Sequence, residues 1–172
     1  THGPDFAWLL PVLDQLAEQI RFRLTVIGVS PEIPERPWIE RRVPAGTGQY
    51  PRYATWIRDI ATLFDVGIAP LVDTPFNRLK SDVKLLEYLA LGLVPVASSI
   101  EPYRRSEDLA VGGLCAGPDD WLDALVRLGA DRVTMSNRTT EAQSARDQVW
   151  QHRNASATGA ELIDRLQSLI VG

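Results

Sequence analysis

The sequence contains few of the residues that build covalent cross-links or metal centres. Its 172 residues include one cysteine, one methionine and two histidines. The lone Cys115 can form neither an intrachain disulfide nor a cysteine-rich zinc site, so we interpret it as a small buried side chain. His2 and His152 have no carboxylate or nucleophile partner in the sequence. The sequence therefore predicts no metal centre and gives no support for a histidine-dependent triad.

An excess of positive charge and long apolar segments are also missing. The net charge is −4 and the isoelectric point about 5.2, which argues against non-specific nucleic-acid binding. No apolar run reaches the roughly 18 residues that a membrane span needs. With 45% hydrophobic and 23% charged residues, the composition is that of a globular domain. Because the chain starts at Thr1 without an initiator methionine, we interpret residues 1–172 as one domain of a longer protein.

Two common nucleotide-binding patterns are absent as well. No G-x-G-x-x-G fingerprint follows a predicted strand, no Walker loop is present, and the segment 46–48 is too short for either. A dinucleotide-binding dehydrogenase is therefore disfavoured. The first predicted strand ends at Gly28, followed by Val29 and Ser30 rather than by carboxylates, which disfavours a fold of the response-regulator type.

Strands alternate with amphipathic helices along the chain. Helical periodicity predicts helices over residues 5–20, 51–64, 82–91, 118–128 and most of 131–170, where Gly159 separates two of them. Apolar and β-branched runs predict strands over residues 22–28, 39–43, 66–71, 93–98 and 112–116. Pro11 indicates a kink or a later start of the first helix, and Pro95 a strand end or edge. This order predicts an α/β fold, a single Rossmann-like domain with a mostly parallel sheet and helices on both faces.

The segment 72–82 is the richest candidate for a binding site, because it follows a buried strand and opens a helix. The first N–H groups of a helix favour an anion such as phosphate, and Arg78 and Lys80 would add positive charge. Ser81 or Asp82 can instead be a plain N-cap, and one helix start can serve both purposes.

Glu87 lies in the helix that follows this segment. A carboxylate there can accept two hydrogen bonds from a ribose diol. The alternative is an ion pair with Lys84, three residues earlier on the same helix face, and the spacing alone favours the ion pair.

Residues 65–71 (DVGIAPL) and 76–98 (FNRLKSDVKLLEYLALGLVPVAS) resemble the donor-site block of the family 4 (group 1) glycosyltransferases, which have the GT-B fold. The shared features are a strand, a loop, a helix carrying a glutamate, a small-residue-Gly turn and a Pro-Val-hydroxyl strand. The opening helix and the strand that ends at Gly28 also resemble the start of that family's C-terminal domain. The match is specific over residues 65–98, and the order of elements agrees over nearly the whole chain.

The resemblance implies that this chain is the C-terminal, nucleotide-sugar-binding half of a cytoplasmic retaining glycosyltransferase, which in full length can lie peripherally at the inner membrane. Such an enzyme transfers a hexose from a nucleotide-diphosphate sugar to an acceptor hydroxyl, and it stabilises the leaving diphosphate electrostatically. The acceptor groups belong to a missing N-terminal GT-B domain, so we expect the isolated domain to be inactive. The resemblance implies no metal, no cofactor and no nucleic-acid partner, and it assigns no catalytic residue.

The same resemblance assigns roles to individual positions. It implies that Glu87 binds the donor ribose and that the region of Val43 contacts the base. It implies phosphate and sugar contacts for Asn77, Arg78, Lys80, Ser81 and Lys84, with backbone amides of residues 77–81 meeting the phosphates.

Two departures from the family pattern leave other functions open. Leu79 stands where the family commonly has a glutamate that contacts the sugar. The basic pair that usually grips the diphosphate has no clear counterpart, and Arg78 and Lys80 are the candidate substitutes. The alternatives are a non-catalytic nucleotide-sugar-binding or scaffold module of the same fold, and a nucleotide-sugar epimerase relative.

Overall fold

The computed structural model describes residues 3–28, 33–44 and 50–152. The helices in these ranges are α1 (Gly3–Gln19), α2 (Tyr50–Ile60), α3 (Pro75–Arg78), α4 (Val83–Ala90), α5 (Glu101–Arg104), α6 (Pro118–Ala130) and α7 (Arg132–His152). The strands are β1 (Leu24–Ile27), β2 (Ile39–Arg42), β3 (Val66–Ala69), β4 (Val94–Ser98) and β5 (Gly113–Cys115), and 3-10 helices cover Ala61–Leu63 and Glu107–Leu109. The predicted helical region beyond residue 152, with Gly159, lies outside the described residues, as does the segment 46–48.

The described strand pairs are all parallel, which confirms the predicted α/β class. β1 pairs with β2, from Leu24 opposite Ile39 to Ile27 opposite Arg42. In the other sheet, β4 lies between β3 and β5. Within the described part of the chain, the single sheet that we expected is therefore divided into two. Leu24 and Trp38 still pack against the hydrophobic core that includes β4, so the two sheets share one core.

β4 is the central strand of the larger sheet, and all of its residues are buried. Of the two alternatives expected for Pro95, an edge strand is therefore wrong, whereas a position near a strand end is confirmed, since Pro95 is the second residue of β4. The Gly112 N–H donates to the Pro95 carbonyl over 2.9 Å, on the side of β5. Because the N–H and C=O of one strand residue point to the same side, the N–H that proline lacks would face β5 just before their ladder begins at Val96 and Gly113. The proline consequently removes no ladder hydrogen bond.

α1 packs on α6 and supplies much of the core. Leu9 and Leu13 of α1 and Trp121 of α6 are almost fully buried. The helix begins at Gly3 and continues through Pro11, so the alternative of a later start is wrong. The burial of this face offsets the roughly 3 kcal/mol that an interior proline costs. In the ranges that the structure describes, no helix combines the length and the apolar character needed to cross a bilayer.

The turn from α4 into β4 follows from Gly92, as the sequence predicts. Gly92 has a φ of +77°, a conformation that glycine adopts without a Cβ clash. Its N–H donates to the Leu89 carbonyl and the Leu93 N–H donates to the Tyr88 carbonyl, each over 2.9 Å. These two bonds form a Schellman motif, which ends the helix and starts the strand one residue later.

β3 and α4 approach each other closely at Gly67. A Cβ atom at this position would lie 2.3 Å from Cγ of Tyr88, so only glycine fits. The Tyr88 hydroxyl donates to the Ile68 carbonyl over 2.8 Å. Burial raises the pKa of Tyr88 well above its usual range, so the hydroxyl keeps its proton and remains a donor. This contact fixes α4, and with it Glu87, against the strand.

Candidate anion-binding site at the carboxyl ends of β3 and β4

The carboxyl ends of β3 and β4 lie side by side, with Ala69 opposite Ala97. From β3 the chain continues through residues 70–74 into α3, and from β4 through residues 99–100 into α5. α3 and α5 contact each other. The charged side chains of both segments therefore meet at the edge of the sheet where open α/β folds bind ligands.

A buried polar network holds the inner side of the loop after β3. The Leu71 N–H donates to Ser98 Oγ over 2.9 Å, and the Val72 N–H donates to Asp5 Oδ1 over 2.8 Å. The Asn77 side-chain amide donates to the Val72 carbonyl over 2.7 Å and to Asp5 Oδ1 over 3.4 Å. Asp5, Asn77 and Ser98 are only 4%, 7% and 3% exposed. Because these polar groups satisfy one another inside the protein, the loop is fixed to α1 and β4.

The sequence analysis missed Asp5, although a signal was present. Asp5 lies four residues before Leu9, on the buried stripe of α1 that continues through Val12 and Leu16. A carboxylate on an otherwise apolar helix face needs hydrogen-bond donors from elsewhere in the fold. That pattern marks Asp5 as a residue with a specific buried partner.

α3 is a single helical turn inside the segment that we expected to be a loop. Thr74 has an extended backbone, and its Oγ1 accepts a hydrogen bond from the Asn77 N–H over 3.1 Å. Pro75 occupies the first helical position, where no N–H is needed. Thr74-Pro75 is thus a helix-start signal that accounts for the turn.

The backbone amides of residues 77–80 have partners within the segment itself. The Asn77 N–H donates to Thr74 Oγ1. The N–H groups of Arg78, Leu79 and Lys80 donate to the carbonyls of Thr74, Phe76 and Asn77, respectively. The first N–H groups of α4, which begins at Val83, are instead those that a helix leaves without an intrahelical acceptor. Free amides for an anion are therefore expected at the start of α4 rather than at residues 77–80.

Asp82 occupies the N-cap position of α4, but its side chain makes no capping hydrogen bond. Its backbone has φ −80° and ψ 13°, unlike the extended conformation from which a side chain reaches the second or third N–H. The Asp82 carboxylate instead accepts a hydrogen bond from the Ser106 hydroxyl. The predicted N-cap position at Ser81 or Asp82 is therefore confirmed for Asp82, but without a capping hydrogen bond from its side chain, and Ser81 is exposed.

Arg78 projects from α3 and forms a two-pronged ion pair with Asp73. Its Nε lies 2.6 Å from Oδ1 and its terminal nitrogen 2.9 Å from Oδ2 of that carboxylate. The hydrogen bond with Arg78 is the main cause that lowers the pKa of Asp73, and the nearby Arg104 lowers it further. Both partners are about half exposed, so solvent screens the pair and it contributes little to stability.

α5 adds further charges beside this pair. Glu101 forms an ion pair with Arg105 at 2.8 Å. The hydrogen bond with Asp73 is the main cause that raises the pKa of Arg78, and the negative charge of Glu101 raises it further. We define the edge cluster as Asp73, Arg78, Glu101, Arg104 and Arg105. The cluster contains three guanidinium groups and two carboxylates, and the carboxylates of Asp5 and Asp82 lie beside the same two segments.

Lys80 and Lys84 have partners outside this cluster. Lys80 Nζ lies 5.5 Å from the centre of the exposed Phe76 ring, a cation–π distance. Lys84 Nζ lies 2.6 Å from Glu87 Oε2, so the ion pair that the spacing favoured is present. Glu87 is about one quarter exposed, and the proposed contact with ribose stays a prediction.

Val43 and Leu79, the two remaining positions of interest, are the most exposed large apolar side chains among the described residues. Val43 is 84% exposed and follows β2, whereas the predicted phosphate contacts follow β3, which belongs to the other sheet. Leu79 is 87% exposed at the end of α3. A side chain at position 79 can therefore reach a ligand, but leucine offers it no hydrogen bond.

Cys115 and the acidic groups provide no reactive or metal-binding centre in the described ranges. Cys115 is buried, as predicted, and burial followed by the charge of Asp120 raises its pKa to about 12. The thiol is thus protonated and unreactive at neutral pH. Among the described residues, no group of three or more histidine, cysteine, aspartate or glutamate side chains is placed to hold a metal ion.

Comparisons with known proteins give no functional assignment, so an assignment must be argued from the residues of this chain. No family description, no curated protein and no solved structure matches this chain.

Proposed function

We propose that this chain is the donor-binding domain of a retaining glycosyltransferase and binds a nucleotide-diphosphate sugar. The observation that carries the proposal is the position of Arg78, which the Asp5–Asn77–Val72 network holds at the carboxyl ends of parallel strands. Along the chain, Arg78 precedes the helix that carries Glu87. The glycosyltransferase donor block has the same order of loop and helix. The proposed architecture is a single Rossmann-like domain, the C-terminal half of a GT-B protein.

The diphosphate is expected at Arg78 and the start of α4. The guanidinium fork of Arg78 already holds two oxygens of Asp73, and a phosphate group presents the same spacing of oxygens. The N–H groups in the first turn of α4 add a second set of donors. Lys80 and Lys84 contribute positive charge near the anion, while Asn77 acts through the loop that it anchors.

The ribose is expected at Glu87, about one turn beyond the start of α4. Its carboxylate is partly exposed and is oriented by Lys84. A carboxylate in this position accepts hydrogen bonds from the two hydroxyls of a ribose diol. The contact between Tyr88 and Gly67 keeps this part of α4 at a constant distance from the phosphate loop.

Transfer of the hexose requires the N-terminal domain with its acceptor groups. In the assembled protein, the arginines of the edge cluster would stabilise the charge that develops on the leaving diphosphate. The isolated domain is expected to bind the donor without turning it over, and no metal or cofactor takes part in the proposal.

A non-catalytic module of the same fold is the second candidate, and the exposure of Leu79 favours it. This side chain can reach a ligand but cannot hydrogen-bond to a sugar. In that case the nucleotide sugar would bind through its diphosphate and ribose, and no transfer would follow in the full-length protein.

The proposal is tested by a ligand-observed NMR titration of the chain with UDP-, GDP- and ADP-sugars. Half of a two-domain site is expected to bind with a dissociation constant on the order of 1 mM, equivalent to about 4 kcal/mol. Saturable preference for one nucleotide supports the proposal and identifies the base.

Matched variants locate the site in the same titration. Arg78→Gln and Glu87→Gln should each weaken binding about tenfold, as expected for the loss of a charged hydrogen-bond partner. Arg138→Gln, which removes an exposed arginine ion-paired to Glu141 on α7, should leave it unchanged. No saturable binding to any nucleotide sugar, or equal losses in all three variants, would refute the proposed site.

A further inference from the structure

The backbone is anchored from inside at both ends of the Asp73–Arg78 ion pair. Asp73 follows Val72, whose N–H donates to the buried Asp5. Arg78 follows Asn77, whose side-chain amide donates to the Val72 carbonyl. An arginine side chain loses much rotamer freedom when a ligand fixes it in one geometry. The anchored backbone and the two-pronged pair restrict the Arg78 side chain before any ligand arrives.

The pair uses one edge of the Arg78 guanidinium and leaves the other edge unused. Nε donates to Asp73 Oδ1 over 2.6 Å, and Nη2 donates to Oδ2 over 2.9 Å. A guanidinium has five N–H groups, of which each Nη nitrogen carries two. Within the described residues, Nη1 has no acceptor, so its N–H groups and the second N–H of Nη2 remain for a ligand. These two nitrogens form a second fork of the kind that binds phosphate.

Arg36 shows a different use of the same kind of pair. It also donates from Nε and Nη2 to one carboxylate, that of Asp14, over 2.8 and 3.1 Å. Its Nη1, however, donates to the Glu35 carbonyl over 3.0 Å. The protein therefore holds the Arg36 guanidinium on both edges, which suits a purely structural contact, whereas it holds Arg78 on one edge only.

We propose that Asp73 is a positioning residue for the anion site: it holds the Nε–Nη2 edge of Arg78 so that the Nη1–Nη2 edge is presented to a phosphate group. This inference rests on the proposed function, because it describes how the diphosphate contact at Arg78 is prepared. The carboxylate stays in place when the anion binds, since the two use different N–H groups. Its negative charge repels the anion, but both partners of the pair are about half exposed, so solvent screens this repulsion.

The first test is a phosphorus NMR titration of the 172-residue chain with inorganic pyrophosphate. Asp73→Asn should weaken binding about two- to fivefold, because asparagine offers one acceptor oxygen in place of two and no longer holds both nitrogens. The direction of the change is decisive. Removal of a negative charge beside an anion would by itself strengthen binding.

The effect should reverse when an ammonium group replaces the guanidinium. Arg78→Lys keeps the positive charge but has no fork that Asp73 can orient. In this background Asp73→Asn should raise pyrophosphate affinity, since only the repulsion by the carboxylate is then removed. A loss of the same size in both backgrounds would show that Asp73 does not act through the guanidinium, and it would overturn the inference.

Two other carboxylates serve as matched controls. Asp14→Asn breaks the two-pronged pair with Arg36 and changes the net charge by the same amount, so it should leave pyrophosphate affinity unchanged. Glu101→Gln removes a carboxylate whose charge also acts on Arg78 but which is paired with another arginine, so it should not lower the affinity. A loss in either control as large as that of Asp73→Asn would contradict a specific role of Asp73.

The remaining outcomes also decide the question. An unchanged affinity in Asp73→Asn refutes the positioning role, and a higher affinity makes Asp73 a competitor of the anion instead. Lack of saturable pyrophosphate binding by the wild type refutes the anion site at Arg78 and the inference with it.

A nucleotide-sugar titration of the same variants separates this inference from the proposed function. Nucleotide-sugar binding that is insensitive to Asp73→Asn overturns only the positioning role. The expected pyrophosphate pattern without any nucleotide-sugar binding overturns only the proposed function.

Discussion

The two sides of the loop that follows β3 have opposite physical characters. On the inner side, Asp5, Asn77 and Ser98 are nearly fully buried and make short hydrogen bonds to the loop backbone. On the outer side, Asp73 and Arg78 form an ion pair that is about half exposed. Water cannot replace the buried hydrogen bonds of the inner side, whereas water and ions can replace the exposed ion pair of the outer side.

This difference separates stability from binding within a few residues. Removal of a buried partner leaves a polar group without a hydrogen bond and costs about 1–3 kcal/mol for each group. Removal of an exposed charge changes the local field but costs the fold little. We therefore expect substitutions on the inner side to lower the free energy of unfolding, and substitutions on the outer side to change anion affinity at constant stability.

The largest expected effect is that of Asp5→Ala. The substitution leaves the Val72 N–H and part of the Asn77 amide without their acceptor, so the free energy of unfolding should fall by about 2–4 kcal/mol. Urea denaturation followed by circular dichroism measures this change. Asp14→Ala is the control on the same helix, and its loss should be clearly smaller because Asp14 is partly exposed. Equal losses in the two variants would contradict the assigned role of Asp5.

Asn77→Ala should have the next largest effect. It removes the donor to the Val72 carbonyl and leaves Asp5 with one bond fewer, at a cost of about 1–3 kcal/mol. Asn77→Asp tests the direction of the hydrogen bonds, since a carboxylate cannot donate to that carbonyl and would face the carboxylate of Asp5. The aspartate variant should be at least as unstable as the alanine variant, and a wild-type midpoint in urea for Asn77→Asp would contradict the network.

Ser98→Ala should lower the free energy of unfolding by about 1 kcal/mol, because only the Leu71 N–H loses its partner. Ser99→Ala offers a neighbouring control on the same chain segment. Ser99 is only partly buried, whereas Ser98 is 3% exposed. A larger loss from Ser99→Ala than from Ser98→Ala in the same urea titration would show that the loop is anchored elsewhere.

Asp73→Asn should have the smallest effect on stability. Its pKa is lowered in the folded protein, so its contribution is present above the unfolded value of 3.8 and is lost as the pH falls through the lower folded value. At neutral pH the thermal midpoint of Asp73→Asn should lie only slightly below that of the wild type, because the pair is exposed, and this small difference should disappear as the pH falls below about 4. A clear destabilisation at pH 7 would show that the outer pair also supports the fold.

Much of the fold follows from local patterns in the sequence. Helical periodicity locates α1, α2, α4 and α6, and β-branched or apolar runs locate β3 and β4. The Lys84–Glu87 pair and the turn at Gly92 were predictable because each depends on residues a few positions apart. The presence of Pro95 in a central strand was not predictable, because it depends on where β5 begins to pair with β4.

The candidate site was predictable only in its outline. The segment 72–82 is marked by its place between a strand and a helix, and Arg78 and Lys80 by their charge. The partners of these residues were not evident. Asp73 pairs with Arg78 across the single turn of α3. One turn is too short to produce a periodicity in the sequence that would predict this pair. The charge of Arg104 acts on Asp73 because α3 and α5 pack together, and this packing depends on the tertiary structure.

The hydrogen bond between Asp5 and the Val72 N–H joins positions 67 residues apart. Contacts of such large sequence separation carry a high loop-closure entropy, and they form after the local helices and turns in most folding reactions. During synthesis, α1 leaves the ribosome long before the loop that it anchors. The loop that carries Arg78 can thus reach its final position only when the first and middle thirds of the chain have met, so anion binding at Arg78 would report that these two parts have folded together.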